Sequence, residues 1–238
     1  MVTKIDKMEE GAITLLDILG WKGIWQREEN PLEKLTRIIN VSQHSLNIFK
    51  EKDEIGIFQK EKNIFKNLKT EILSISDTIA LITYGDCNLS LEFHSGLSIQ
   101  IIVQSLHENL GIRGATCYGK ISKKNNIIVG PAVDEVASWY ESANWIGVFH
   151  TPSALYRFKP ELMKYKLNLK KYSVSTKNIG KFSTNCVNWV HAFRNRNSIQ
   201  ESFLKMGPIT PEIEPKLSNT LDFFDEMDKQ LDALIEIK

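Results

Sequence analysis

Two acids end apolar runs in this sequence: Asp17 within "TLLDILGWKG" (14–23) and Asp77 within "ILSISDTIAL" (72–81). A carboxylate in such a place is costly unless it is paired or holds a cation. Two carboxylates brought together repel, and one keeps its proton unless positive charge lies between them. Hard oxygen ligands suit Mg²⁺ or Mn²⁺, and Mg²⁺ typically takes one or two carboxylates plus substrate phosphates. The loop after Asp17 carries Gly20 and Gly23, which let backbone approach a ligand, and its N–H groups suit phosphate oxygens. Lys22 adds a positive charge to the same loop. The chemistry indicated is a two-metal site on a triphosphate, one ion activating a hydroxyl and the other stabilising the leaving oxygen. The competing reading makes each acid an ordinary turn or cap residue, so everything depends on whether the two meet.

The elements that would have to position them follow from pattern. Residues 11–18 read as a buried strand. Asn30 and Pro31 open a helix whose Leu32, Leu35, Ile39, Leu46 and Phe49 share one face. Residues 50–69 are charged and read as a helix end plus an exposed connection. Residues 70–76 and 78–84 are strands meeting at Asp77. A helix is expected over 89–110, stopped by Gly111. A strand over 112–121, a turn at "SKKNN", a strand at 126–129, a helix over 131–144 and a strand over 146–151 follow. Beyond 155 the chain reads as basic and less regular, with "TNCVNWV" a late strand and 212–237 a terminal helix. The order β-α-β-β-α-β is the split βαβ arrangement. Right-handed crossovers place its first and third strands side by side and antiparallel. Asp17 and Asp77, sixty positions apart, then reach the same edge of the sheet.

Composition bounds the rest. The 238 residues are 42% apolar and 25% charged with a net charge of +1, ordinary for a globular chain and no global attraction to nucleic acid or membrane. The N-terminal stretch lacks the apolar core of a secretory signal, and no run approaches the length of a membrane helix. Cys87, Cys117 and Cys186 form no CxxC pair, and the five histidines no HExxH. Reduced thiols, no zinc site and a cytoplasmic location are the expectations. "GATCYGKI" nearly matches a P-loop but has Ile121 in place of the hydroxyl and sits in an expected strand. The basic stretches at 168–181 and 191–198 read as solvated faces before they read as nucleic-acid contacts, and the five tryptophans as packing before base stacking.

"LLDILGWKG" resembles the first metal motif of the class III nucleotide cyclases, and "ILSISDTIALI" the second. "IRGATCYGKI" and "VGPAVDEVASWYE" are similar to the strand and helix that follow. The resemblance covers about residues 11–150. It implies a ferredoxin-like α+β fold with an antiparallel-dominated sheet flanked by helices. A catalytic core over 1–155 and a C-terminal extension over 156–238 that completes the domain are expected. It also implies a homodimer with active sites at the interface. Asp17, Asp77 and the Ile18 carbonyl would bind two Mn²⁺ or Mg²⁺ ions per site, and Leu19, Gly20, Trp21 and Lys22 would meet the nucleotide. The purine-reading positions of the family are missing: Leu73 and Ile127 stand where base readers are usual, and Asp134 and Ser138 stand nearest the usual helix Asn and Arg. Arg113 and Lys22, and more weakly Lys120, are left to meet transition-state charge. Both acids are kept while the purine readers are lost. That combination resembles the pyrimidine cyclases of bacterial anti-phage (Pycsar) defence, which make cyclic UMP or cyclic CMP for a separate effector protein. Cyclic UMP from UTP is the expectation, with cyclic CMP from CTP next. A non-catalytic nucleotide-binding module on the same fold and a purine cyclase are the further alternatives.

Overall fold

The computed structural model describes residues 8–51, 64–125 and 127–236. In chain order these form β1 (Glu9–Leu19), α1 (Pro31–Glu51), β2 (Lys69–Ile75), β3 (Thr78–Tyr84), α2 (Cys87–His107), β4 (Gly111–Lys124), β5 (Ile127–Val129), α3 (Pro131–Trp139), β6 (Gly147–His150), α4 (Pro152–Arg157), β7 (Leu169–Thr176), β8 (Gly180–Val187), α5 (Arg196–Met206) and α6 (Glu214–Glu236). The fold is α+β. One sheet runs β2-β3-β1-β4-β6-β8-β7, with β5 paired to the far end of β4. Every pairing in it is antiparallel except β4 with β6.

The central pairing is the one the split βαβ pattern requires. β1 lies antiparallel to β3 with Asp17 opposite Thr78, and antiparallel to β4 with Asp17 opposite Arg113. Side chains alternate along a strand, so Thr14 and Leu16 face one side of the sheet and Leu15 and Asp17 the other. The first side is covered by α2, which is almost wholly buried because serines, His94 and Glu92 share its surface with Leu91, Leu97, Ile101 and Ile102. A polar belt crosses the sheet beneath it. Thr14 Oγ1 bonds His94 Nδ1 at 2.7 Å and Thr116 Oγ1 at 2.8 Å, and Thr83 Oγ1 bonds His94 Nε2 at 2.8 Å and Thr70 Oγ1 at 2.7 Å.

Several sequence expectations are corrected here. Gly111 does not stop α2. The turn is made at Asn109 (φ 57°), and Gly111 opens β4, where a Cβ would come within 2.8 Å of the Ile146 side chain. α3 ends at Trp139 rather than 144, because Ser142 and Ala143 are drawn to the end of β7. The expected connection at 50–69 lies largely on 52–63, outside the described residues. The chain beyond 155 is more regular than expected. The basic stretch 168–181 contains β7 and the turn into β8, a hairpin joined to β6 through Phe149 opposite Cys186. The stretch 191–198 leads into α5, and its Arg194 and Arg196 pair with Asp228, Asp232 and Asp225 of α6. "GATCYGKI" lies within β4, as its strand context required.

Candidate functional site

Ile18 N–H donates to the Asp77 carbonyl at 3.2 Å, so the end of β1 is tied to the β2–β3 turn. That turn is a two-residue loop, Ser76–Asp77, with Ser76 at φ 57°, the positive φ that tight hairpins favour. Asp17 and Asp77 line one cleft of about 580 Å³. Ile18, Leu19, Gly20, Trp21, Lys22 and Arg113 line it as well. Lys120 does not; it lies toward the other end of β4, opposite Glu10.

Asp17 is held by Arg113. Nε donates to Asp17 Oδ2 at 2.7 Å, Nη2 lies 2.7 Å from the same oxygen in an ion pair, and Nη1 donates to the Glu141 carbonyl at 3.0 Å. Burial lifts the Asp17 carboxyl above its usual value; Arg113 draws it back, while Asp77 and Glu141 push it up again. The nearby Tyr140 hydroxyl donates to Glu141 Oε1 at 2.7 Å and is pushed up to about 12, by burial first and by Glu141 next.

The loop after Asp17 turns at Gly20 (φ 78°), a left-handed conformation that favours glycine. A Cβ there would also press on the Met206 side chain at 3.2–3.3 Å. Arg27 reaches back to donate to the Gly20 carbonyl. Lys22 is exposed and has no ion-pair partner among the described residues. Trp21 meets Trp25 edge-on, with ring centroids 6.2 Å apart.

The opposite wall was not visible to sequence reasoning. It comes from the β7–β8 turn and the α5–α6 corner: Lys177, Phe203, Met206, Thr210, Glu212 and Lys216. Lys177 is placed by its backbone N–H, which donates to Ser142 O next to Glu141. Its ammonium is depressed by burial and by the charges of Arg113 and Lys216, with Glu141 and Asp17 opposing. In all, five basic side chains (Lys22, Arg27, Arg113, Lys177, Lys216) face three acidic ones (Asp17, Asp77, Glu212). The excess is positive, so the cleft suits an anion. Among the described residues no group of three His, Cys, Asp or Glu is placed to hold a metal. The two carboxylates that line the cleft, Asp17 and Asp77, are the oxygen donors an Mg²⁺ or Mn²⁺ ion takes when phosphate and water complete its shell.

No protein-family model matches the chain, and no curated protein matches it. Solved structures do. An adenylate cyclase from Trypanosoma brucei in its monomeric state aligns with a TM-score of 0.50 at 10% identity, over 82% of this chain and 93% of that one. An adenylate/guanylate cyclase/hydrolase from Silicibacter pomeroyi aligns at 0.46 and 13% identity, over 76% and 96%. The catalytic core of a rhodopsin-guanylyl cyclase with converted specificity, in complex with ATPαS, aligns at 0.45 and 12%, over 76% and 95%. At such identities the likeness is one of fold, and the first of the three carries it. The chain shares its α+β fold, a mostly antiparallel sheet flanked by helices, with that adenylate cyclase.

Proposed function

We propose that this chain is a nucleotide cyclase that uses Asp17 and Asp77 to act on a pyrimidine nucleoside triphosphate, UTP first and CTP next. The observation that carries the reading is the tie between Ile18 and the Asp77 carbonyl, which gathers two distant carboxylates at the mouth of a cleft rich in basic side chains. Asp17, Asp77 and the Ile18 carbonyl would hold two Mn²⁺ or Mg²⁺ ions. When bound, such ions activate the ribose 3′-hydroxyl and stabilise the departing pyrophosphate. The chain's own part is positioning. The backbone of Leu19–Lys22 and the Lys22 ammonium receive phosphate oxygens. Arg113, already beside Asp17, exchanges that carboxylate for charge developing on the phosphate. Glu141 keeps hold of the guanidinium through its carbonyl.

The pyrimidine preference is supported by what occupies the base-reading positions of the resembled family. Leu73 and Ile127 are both apolar, and Ile127 is exposed. Neither offers the polar contacts that read a purine edge. A homodimer with active sites at its interface belongs to the same reading. Its support is the apolar strip on Asp17's side of the sheet, where Leu15 and Leu73 are half-buried and Ile75 is exposed. The product's role, a messenger in bacterial anti-phage defence sensed by a separate effector, rests on the sequence resemblance. No helix among the described residues is long and apolar enough to cross a membrane.

A second reading is favoured by the Arg113–Asp17 pair itself. A structural ion pair would leave a module that binds nucleotide without turnover. Incubating the protein with each of the four nucleoside triphosphates and Mn²⁺, and identifying products by mass spectrometry, separates the readings. Cyclic UMP or cyclic CMP is expected. Cyclic AMP or cyclic GMP as the main product contradicts the pyrimidine assignment, and binding without any cyclic product selects the module.

A further inference from the structure

Lys216 stands on the first turn of α6, far from the stretch that carries the metal motifs, yet it lines the same cleft as Asp17 and Asp77. Lysines on helices ordinarily bury their stems and carry the ammonium out to water. Lys216 does not: it is only 5% exposed. Its ammonium has three protons to place. One goes to the Glu212 carbonyl at 2.8 Å. The Glu212 carboxylate, 3.7 Å away, is itself largely in solvent and makes a loose partner. A nearly buried cation so weakly matched among the described residues leaves bonding capacity directed at the cleft. Lys177 enters the same cleft from the β7–β8 turn with no side-chain ion pair or hydrogen bond among the described residues, and it senses the charge of Lys216. Two like charges held near each other at the edge of one cavity are mutually unfavourable until an anion joins them.

We propose that Lys216, together with Lys177, forms an anion seat for the pyrophosphate end of the nucleotide, supplied by the same chain that supplies Asp17 and Asp77. The inference rests on the cyclase reading and deepens it by assigning the two walls of the cleft. The β1–α1 side holds the reacting end of the triphosphate, and the α5–α6 corner holds the leaving group. Gly20 of the first wall lies so near Met206 of the second that an added Cβ would come within 3.2 Å of its side chain. It follows that the polyphosphate site is complete within one copy of the chain, whatever a second copy adds.

The test is isothermal titration of the full-length protein with inorganic pyrophosphate and with tripolyphosphate, without nucleotide. Sulfate at matched ionic strength serves as a control for unspecific charge attraction. The wild type should bind both polyphosphates, and sulfate should not displace them. Lys216→Met, which keeps the stem and removes the charge, should weaken both by at least tenfold, while Lys216→Arg retains most of the affinity. Glu212→Gln touches only an exposed side chain and removes the competing carboxylate. It should tighten pyrophosphate severalfold, and it provides an independent arm if Lys216→Met does not fold. Unchanged affinity in both Lys216→Met and Glu212→Gln, displacement by sulfate, or no binding by the wild type overturns the proposal. Cyclic-nucleotide formation is scored separately. Product with a polyphosphate affinity indifferent to Lys216 removes the seat and leaves the cyclase, whereas a Lys216-dependent seat without cyclic product does the reverse.

Discussion

Thr14 and Asp17 stand three residues apart on β1 and face opposite sides of the sheet. Each belongs to a polar cluster, and the clusters are built on opposite principles. Around Thr14 every partner is matched. The His94 ring, fully buried and held neutral, donates from one nitrogen and accepts at the other, and threonines on four strands close the chain of bonds. Around Asp17 the accounts stay open. A raised carboxyl has one oxygen taken by Arg113 and faces a second acid across a cleft with surplus basic groups. A matched belt locks strands in register, because breaking any bond strands a buried polar group. A partly matched cluster keeps bonding capacity in reserve, and a ligand completes it. The lesson is that polar residues on one strand divide into structural and functional sets by whether their bonding capacity is filled.

Breaking the open cluster should give the largest effect. Asp17→Ala and Asp77→Ala should each lower cyclisation by at least about a thousandfold, since either removes ligands for both ions. The two should differ in stability. Asp17→Ala strips a nearly buried guanidinium of its carboxylate and should cost about 3 kcal/mol, whereas Asp77→Ala should melt close to wild type. Equal melting would deny that Arg113 depends on Asp17. The matched cluster should behave the other way round. His94→Leu removes two buried hydrogen bonds and should cost about 2–4 kcal/mol in denaturant unfolding. The turnover of the molecules that remain folded should hold, and a selective loss of kcat would dissolve the distinction drawn between the clusters.

Acid sharpens the comparison. Burial drives both His94 and His150 down to about 3, so the folded state excludes protons that the unfolded state takes up from about 6.5. Stability is therefore lost as pH falls through that window, with up to about 1.4 kcal/mol per pH unit from each ring. His94→Gln should remove one proton's worth of that slope between pH 6 and 4, and an unchanged slope would mean that the ring is not buried neutral. The smallest effect belongs to Arg194 and Arg196. Their pairs with Asp225, Asp228 and Asp232 are solvent-exposed. Replacing both with Gln should leave cyclase activity at the wild-type level.

The open cluster was half legible in the sequence. Asp17 and Asp77 could be paired in advance because the split βαβ order fixes which strand ends adjoin, and the hydrogen bond from Ile18 lies where that order requires it. Lys177 and Lys216 were hidden for a physical reason. β7 presents Lys171, Ser173 and Ser175 outward and buries Val174 and Thr176, so its alternation is muted by polar residues on both faces. α5 buries little beyond Ile199, Ser202 and Phe203, too few to declare a helical face. The matched cluster was invisible for a different reason. Threonine and histidine in buried positions look like ordinary strand and helix residues until their register sets them opposite one another. Gly111 misled because a glycine after a helix suits a cap, while here it makes room for Ile146.

The central claim is that Asp17 and Asp77 act on one ligand. Titrating Mn²⁺ into the protein in the presence of a non-cyclisable UTP analogue, with the bound ion followed by electron paramagnetic resonance, tests it directly. Wild type should bind Mn²⁺ with the nucleotide, and Asp17→Asn and Asp77→Asn should each abolish that binding to the same degree. Retention of wild-type Mn²⁺ binding by either variant would contradict the claim.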